Sequence, residues 1–378
     1  MRITKTTLAP SRLELVRPLK TARATYTLRE GYLIQLVDEE GRIGQGEAMP
    51  LVEFGTESLS VCQQVLQGHF RRLDGQPLAD NLDAIEEAFA LPTGGPGQGR
   101  GLRLRPTEEI PHAPAADHAV EMALLDLLAQ RREIPLCRLL DRAARPEVWV
   151  NALLTADAPG ELAEEARKAV AEGYKTVKLK VAGRPLDEDE ARVRAVRQAV
   201  GPEVNIRLDA NGGWSETEAV HAVDRLGWYG LELCEQPVPP QELRALWRLQ
   251  RRAPFPLAAD EALASPEAIP VLLGAAGGIP AARAFVLKPM VLGGLLPALM
   301  FARQAASLGL EAFVTSALDG VVSRAGAAHL AAALPSGRLA SGLGVGSLFV
   351  REEPEVHPFQ PIQGRIRLPE APGLGLVP

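Results

Sequence analysis

From position 148 onward the chain alternates short runs rich in Val, Ile and Leu with longer stretches whose apolar residues recur every three or four positions. The runs are VWVNALL, TVKLKV, VNIRLDA, LELCEQP, FPLAADE, AFVLKP and EAFVTSA. Each run with the amphipathic stretch behind it takes about 25 to 30 residues, the length of a strand plus its crossover helix. Seven or eight such units predict an α/β fold, a (β/α)7β TIM-type barrel of about 200 residues. A doubly wound open sheet is the alternative. Its glycine fingerprint is missing after the first strand, and GLGVG at 342–346 comes late and opens no helix.

The first hundred residues are patterned differently. Period-two alternation predicts strands over 32–37 and 43–48, joined by an acidic turn closing at Gly41, and helical patterns follow over 56–73 and 82–91. This is an α+β module. PTGGPGQGRG then follows a helical pattern and lacks a Lys-Ser/Thr ending, so it predicts a flexible surface loop rather than a phosphate cradle. A long helix, PAADHAVEMALLDLLAQRREI, leads into the barrel. The expected domains are 1–112 and 113–349, with 350–378 returning to the first.

Composition narrows the function classes. At 378 residues and 46% hydrophobic content, the chain has material for a barrel core and a smaller domain. A net charge of −6, a pI near 5.7 and the lack of a basic run with interleaved aromatics argue against nucleic acid. Cys62, Cys137 and Cys234 form no CxxC, which indicates neither a disulfide framework nor a zinc cluster and suggests the cytoplasm. MRITKTTLAPSRLEL has no apolar core of signal-peptide length, and no membrane-length apolar run occurs. A small-molecule partner is expected; a homo-oligomer is compatible with all of this.

Chemistry collects at the strand ends. The chain has seven lysines against thirty-four arginines, yet Lys175, Lys178 and Lys180 fall within GYKTVKLKVAG. Unlike guanidinium, an ammonium can lose its proton when burial or a neighbouring cation lowers its pKa, so a general base is one reading; a half-buried strand with outward cations is the other. Because KLK alternates, Lys178 and Lys180 should face the same way, each easing the other's deprotonation. Asp209, Glu235 and Asp260 end three consecutive strands, at spacings of 26 and 25 residues. Converging carboxylates repel unless a cation neutralises them, and an all-oxygen set favours Mg²⁺ over zinc. Each acid could instead cap the helix that follows it, which explains one better than three in register. Lys180 lies 29 residues before Asp209, and Lys288 28 after Asp260, so lysines flank the acids. A metal bound to a substrate carboxylate beside a lysine base specifies α-proton abstraction through an enediolate.

The ordered set KxK, DAN, EQP, DE and KP resembles the enolase superfamily in its muconate-lactonising subgroup. GQGEAMP is similar to that family's capping-domain turn, and AVEMALLDLLAQRREIPLCRLL to the helix joining capping domain and barrel. VTSALDGVVSRAGAAHLAAAL with SGLGVGSLF resembles the last strands of o-succinylbenzoate synthases, the dehydratases of menaquinone biosynthesis. It departs from them at Asp319, where Glu is usual, and at Val345, where Thr is frequent. The resemblance implies a Mg²⁺-dependent lyase, with Mn²⁺ able to substitute. Asp209, Glu235 and Asp260 would hold the metal, Lys180 would be base and then acid, and Lys288 would lay a cation against the ring intermediate. Lys178 would assist, and Asn211, Arg207, Ser316 and Gly344 would contact substrate. N-acylamino-acid racemases, dipeptide epimerases and muconate cycloisomerases share these motifs, and a non-catalytic metal-binding barrel is the outside alternative. VRPLKTARATYTLR and PLVEFGTES match two capping loops that close over substrate. Lys20, Arg23 and Arg324 are available for a distal carboxylate, although each also reads as a solvated charge. The six histidines form no HxH or HExxH set, and no Ser-His-Asp order stands out.

Overall fold

The computed structural model describes residues 1–20, 25–90, 102–104, 111–274, 278–350 and 358–377; the glycine-rich stretch and Arg23 fall outside them. The turn expected at Gly41 closes a hairpin, its N–H donating to the Asp38 carbonyl at 3.1 Å with φ at 81°. The hairpin strands are β2 (Thr25–Asp38) and β3 (Ile43–Ala48), and β1 (Ile3–Lys20) adds an antiparallel edge. Neither β1 nor the length of β2 follows from the apolar pattern. Among the described side chains of β1 only Ile3 and Leu15 are buried, so this edge strand shows little alternation, and the described part of VRPLKTARATYTLR lies in strands rather than a loop.

Helices α1 (Leu59–Leu73) and α2 (Leu82–Phe89) start where Ser58 and Asn81 accept backbone N–H bonds from Val61 and Ala84, the usual N-cap arrangement. Helix α3 (Pro114–Arg131) is buried on all sides from Pro114 to Ala129, as befits a helix apolar around its circumference. Gly44 and Gly46 let β3 lie directly on it. A Cβ at either would stand 2.2 Å from the Ala123 carbonyl oxygen or 2.0 Å from that of Ala119.

The stretch expected as one first barrel strand divides in two. After the short α4 (Leu136–Leu140), β4 (Glu147–Trp149) is followed by β5 (Ala152–Leu154). Next come β6 (Thr176–Lys180), β7 (Asn205–Asp209), β8 (Leu233–Glu235), β9 (Leu257–Ala259), β10 (Ala284–Leu287) and β11 (Glu311–Val314). Strands β5 to β11 pair in sequence order as one parallel sheet. Its crossovers include α5 (Pro159–Ala171) and α6 (Leu186–Val200). Ser341 and Gly342 close the ring, bridging Val150 on one side and Thr315 on the other. Strand β12 (Arg365–Arg367) pairs antiparallel with β4, while Val350 N–H donates to Glu14 of β1 at 2.8 Å.

Leu233, Ala258, Ala284, Val286 and Phe313 fill the barrel interior. A separate cluster of Leu15, Tyr26, Leu51, Leu318 and Phe349 joins the capping sheet to the barrel rim. Among the described residues no helix is long and apolar enough to cross a membrane.

Candidate active site

The parallel ladder places the strand-end residues side by side. Lys180, Asp209 and Glu235 are successive register partners across β6, β7 and β8, Asp260 follows β9, and Lys288 follows β10. In a barrel this is the rim where strand C-termini meet. Just past two of the acids, Asn211 (φ 45°) and Gln236 (φ 35°) adopt left-handed backbone, a strained geometry for non-glycine residues that concentrates at functional sites. Asn211 thereby reaches Lys180 Nζ at 2.5 Å and donates to Glu261 Oε1 at 3.1 Å. Gln236 accepts from the N–H groups of Asp260 and Ala262, at 3.0 and 3.2 Å, which fixes the turn that carries Asp260.

Lysines and acids interleave. Lys178 Nζ lies 3.0 Å from Asp209 Oδ2 and 2.5 Å from Glu235 Oε2; Lys180 Nζ is 3.2 Å from Asp209 Oδ2; Lys288 bonds to Asp260. Burial by itself would lower the Lys178 pKa, but Asp209 and Glu235 outweigh it and hold the ammonium above its ordinary range. The expected mutual easing of Lys178 and Lys180 is thus overridden at Lys178. Burial opposes the charge on Asp209 as well, yet Lys178 and Lys180 keep its pKa low. At Glu235 burial prevails, reinforced by Asp209 and Asp260 against Lys178, and the pKa rises.

A cleft opens over these groups. Lys178, Lys180, Asp209, Asn211, Asp260 and Lys288 face it, with Ser316 and Gly344 also on its wall. Arg207 does not join them. It shares a strand face with Asp209 but lies two residues deeper, fully buried, bonded to Glu232 and to the Ala340 carbonyl, 4.4 Å from the Phe313 ring. Alternation fixes which way a barrel residue faces, not its depth. Arg324 is also buried, beside Glu47 and Asp319, rather than solvated. The cleft is walled too by Asn151, Leu153, Thr315 and Leu318, and by Leu19 and Phe54 of the capping domain. Phe54, whose ring lies 4.9 Å from Lys288 Nζ, had only its place in PLVEFGTES to mark it.

No three described acid, His or Cys side chains converge on a single point, because the lysine ammonium groups stand between the carboxylates. The acids nevertheless fit a hard divalent cation: all donors are oxygen, all three residues are buried, and Lys178 already places a cation between two of them. Glu235 Oε1, buried without a hydrogen-bond partner, is a ready ligand atom.

Family comparison agrees with this geometry. Residues 3–141 match the mandelate racemase / muconate lactonizing enzyme N-terminal domain, and 161–378 match the enolase C-terminal domain-like family. The chain belongs to the enolase superfamily, in its muconate-lactonising branch. It is 34% identical to the L-Ala-D/L-Glu epimerase of Clostridium acetobutylicum, covering 84% of this chain and 83% of that one. Muconate cycloisomerase 1 of Acinetobacter baylyi is 28% identical over 96% and 93% of the two chains. The crystal structure of the Enterococcus faecalis dipeptide epimerase with Mg and L-Leu-L-Tyr superposes with a TM-score of 0.83, at 27% identity and 99% coverage of both chains. This superfamily enzyme therefore has relatives named for isomerisations as well as the dehydratase resemblance in its last strands.

Proposed function

We propose that this enzyme is an o-succinylbenzoate synthase, acting in the cytoplasm on 2-succinyl-6-hydroxy-2,4-cyclohexadiene-1-carboxylate. The observation that carries the reading is the inequality of the two flanking lysines. The Lys288 side chain is 10% exposed, bonded to Asp260 and covered by Phe54, whereas that of Lys180 is 22% exposed on the cleft. One amine open to the cleft and one cation held by Asp260 suit a reaction needing a single base.

Asp209, Glu235 and Asp260 would hold Mg²⁺. Bound there, the cation supplies positive charge that makes the α-proton of the carboxylate acidic and stabilises the enediolate. Lys180 takes that proton with its free amine, and the electron pair left behind is drawn into the carboxylate. That pair then forms the C1–C6 double bond as the C6–O bond breaks on the same face. Lys180 returns the proton to the departing hydroxide, releasing water and leaving the aromatic product. Asn211 Oδ1, 2.5 Å from Lys180 Nζ, orients the amine. Lys288 stays charged against the π-system.

Racemisation of N-acylamino acids is the second reading, favoured by the isomerase relatives and by the presence of both lysines on the cleft. Against a free dipeptide stands the lining: among its described residues the only acids are Asp209 and Asp260, both proposed metal ligands, so an α-ammonium would lack a carboxylate partner. The deciding assay offers the cyclohexadiene carboxylate and a panel of N-acylamino acids to the Mg²⁺-loaded enzyme in D₂O. We expect aromatic product to form faster than any α-deuteration, to vanish with excess chelator and to return with Mg²⁺ or Mn²⁺. α-Deuteration outpacing dehydration transfers the assignment to the racemase, and full turnover in chelator removes the metal.

A further inference from the structure

We propose that the buried pair Asp189 and Arg192 on α6 is a positioning clamp that sets the end of β6, and with it the location of Lys180. The proposal rests on the reading of Lys180 as the base. Neither residue lines the cleft, and neither contacts the acids at its floor.

The β5–β6 ladder ends at the partners Leu154 and Leu179, so Lys180 stands one residue past its last rung. On that side a guanidinium replaces the missing strand. Arg192 Nη1 donates to the Lys180 carbonyl at 2.7 Å, and Nη2 donates to the carbonyl of Ala156, just past β5, at 3.2 Å. One planar fork therefore spans the gap that the ladder leaves open, a task a lysine cannot duplicate. Asp189 secures both parts. It accepts from Arg192 Nη1 at 3.1 Å and from the Ala182 N–H at 2.8 Å, where Ala182 holds φ at 69°, an unusual conformation for alanine. The Val181 N–H donates to the Asp209 carbonyl at 2.9 Å, so residues 180–182 are tied to the metal-ligand strand on one side and to the clamp on the other.

Stability alone gives little reason to bury such a pair. Asp189 and Arg192 are 0% and 3% exposed, and apolar residues of similar volume often replace a buried ion pair without loss of stability. What apolar residues cannot supply is directional donation to the Lys180 and Ala156 carbonyls. Displacement of a reacting group by about 1 Å can cost on the order of 100-fold in rate.

The test compares Arg192→Lys, the double variant Asp189→Leu/Arg192→Met, and Lys180→Ala as reference. Each is loaded with Mg²⁺ and assayed with the cyclohexadiene carboxylate and an N-succinylamino acid, protonated and α-deuterated. We expect the double variant to fold but to melt below wild type, since the Lys180 and Ala156 carbonyls and the Ala182 N–H lose their partners, while kcat falls about 10- to 100-fold, KM changes little, and the primary isotope effect grows. Arg192→Lys should show the same kcat loss in a fold disturbed still less. A folded Arg192→Lys with wild-type kcat and isotope effect, beside an inactive Lys180→Ala, overturns the clamp alone. A fully active Lys180→Ala overturns the base assignment instead. If wild type turns over neither substrate, the functional reading fails and amide exchange decides the clamp: Ala182 N–H should exchange at least about tenfold faster in both clamp variants, with α3 unchanged, and equal exchange refutes it.

Discussion

Replacing each flanking lysine with arginine separates the need for a removable proton from the need for a charge. Lys180 Nζ is bonded to Asn211 Oδ1 at 2.5 Å and to Asp209 Oδ2 at 3.2 Å, at the edge of the cleft. Arginine can keep such contacts but cannot serve as a base near neutral pH. General-base catalysis contributes roughly 100- to 10,000-fold, so Lys180→Arg should raise the barrier by about 3 to 5 kcal/mol, nearly as much as Lys180→Ala. Its cost in stability should stay below about 1 kcal/mol, since a partly exposed ion pair contributes little. Lys288→Arg is the contrasting case. It keeps a cation beside Asp260 and beneath Phe54, and a cation–π interaction is worth up to about 2 kcal/mol when desolvated, so its rate should fall by no more than about 30-fold. The assay is loss of diene absorbance under saturating Mg²⁺, with thermal melting as the check on folding. Lys180→Arg retaining more than a tenth of the wild-type rate would falsify the base assignment. Equal and complete loss in both arginine variants would overturn the reading of Lys288 as a fixed cation.

Two further outcomes follow from the capping interface. Burial, abetted by Asp319, pushes the Glu47 carboxyl up to about 7, against the pull of the Ser323 and Gly320 N–H groups and Arg324. Native protein therefore keeps a proton that the unfolded chain releases near 4.5, so Glu47's contribution is full below that pH, drains as pH rises to about 7, and is flat beyond. The integrated loss is about 3 kcal/mol. Glu47→Gln should remove this component, and urea denaturation curves at several pH values that stay parallel for the two proteins would refute it. Gly46→Ala should destabilise by about 1 to 3 kcal/mol, because its methyl would meet the Ala119 carbonyl oxygen at 2.0 Å. Gly183→Ala, which meets nothing within 4 Å, should change stability by less than about 0.5 kcal/mol, and equal melting shifts would contradict the close-packing account.

The barrel is legible in the sequence because every βα unit repeats the same decision: an apolar run is buried on both faces, and the amphipathic stretch behind it covers the outside. The same repetition exposes Lys180, Asp209, Glu235, Asp260 and Lys288, each near the end of its run. Elements that depend on distant partners leave no such trace. β4 separates from β5 because it pairs with β12, whose residues lie more than two hundred positions away. The closing strand shrinks to Ser341 and Gly342, too short for any period. β1 is an edge, and an edge needs few apolar residues.

Within the site, what sequence cannot supply is depth and partnership. Lys178 and Arg207 are register partners and face the same barrel interior, yet Lys178 turns up to Asp209 and Glu235 while Arg207 turns away to Glu232 and the Ala340 carbonyl. Nothing local distinguishes them; the choice follows from which acid waits on the neighbouring strand. Asp189 and Arg192 illustrate the converse. In LDEDEARVRAVR they look like one more i,i+3 pair on a charged helix face. Only the register of β5 against β6, one residue short of Lys180, turns that pair inward and gives its guanidinium two strand-end carbonyls to hold. A period can therefore reveal the residues that face the substrate, whereas those that fix their position become visible only when the ladder is seen to stop.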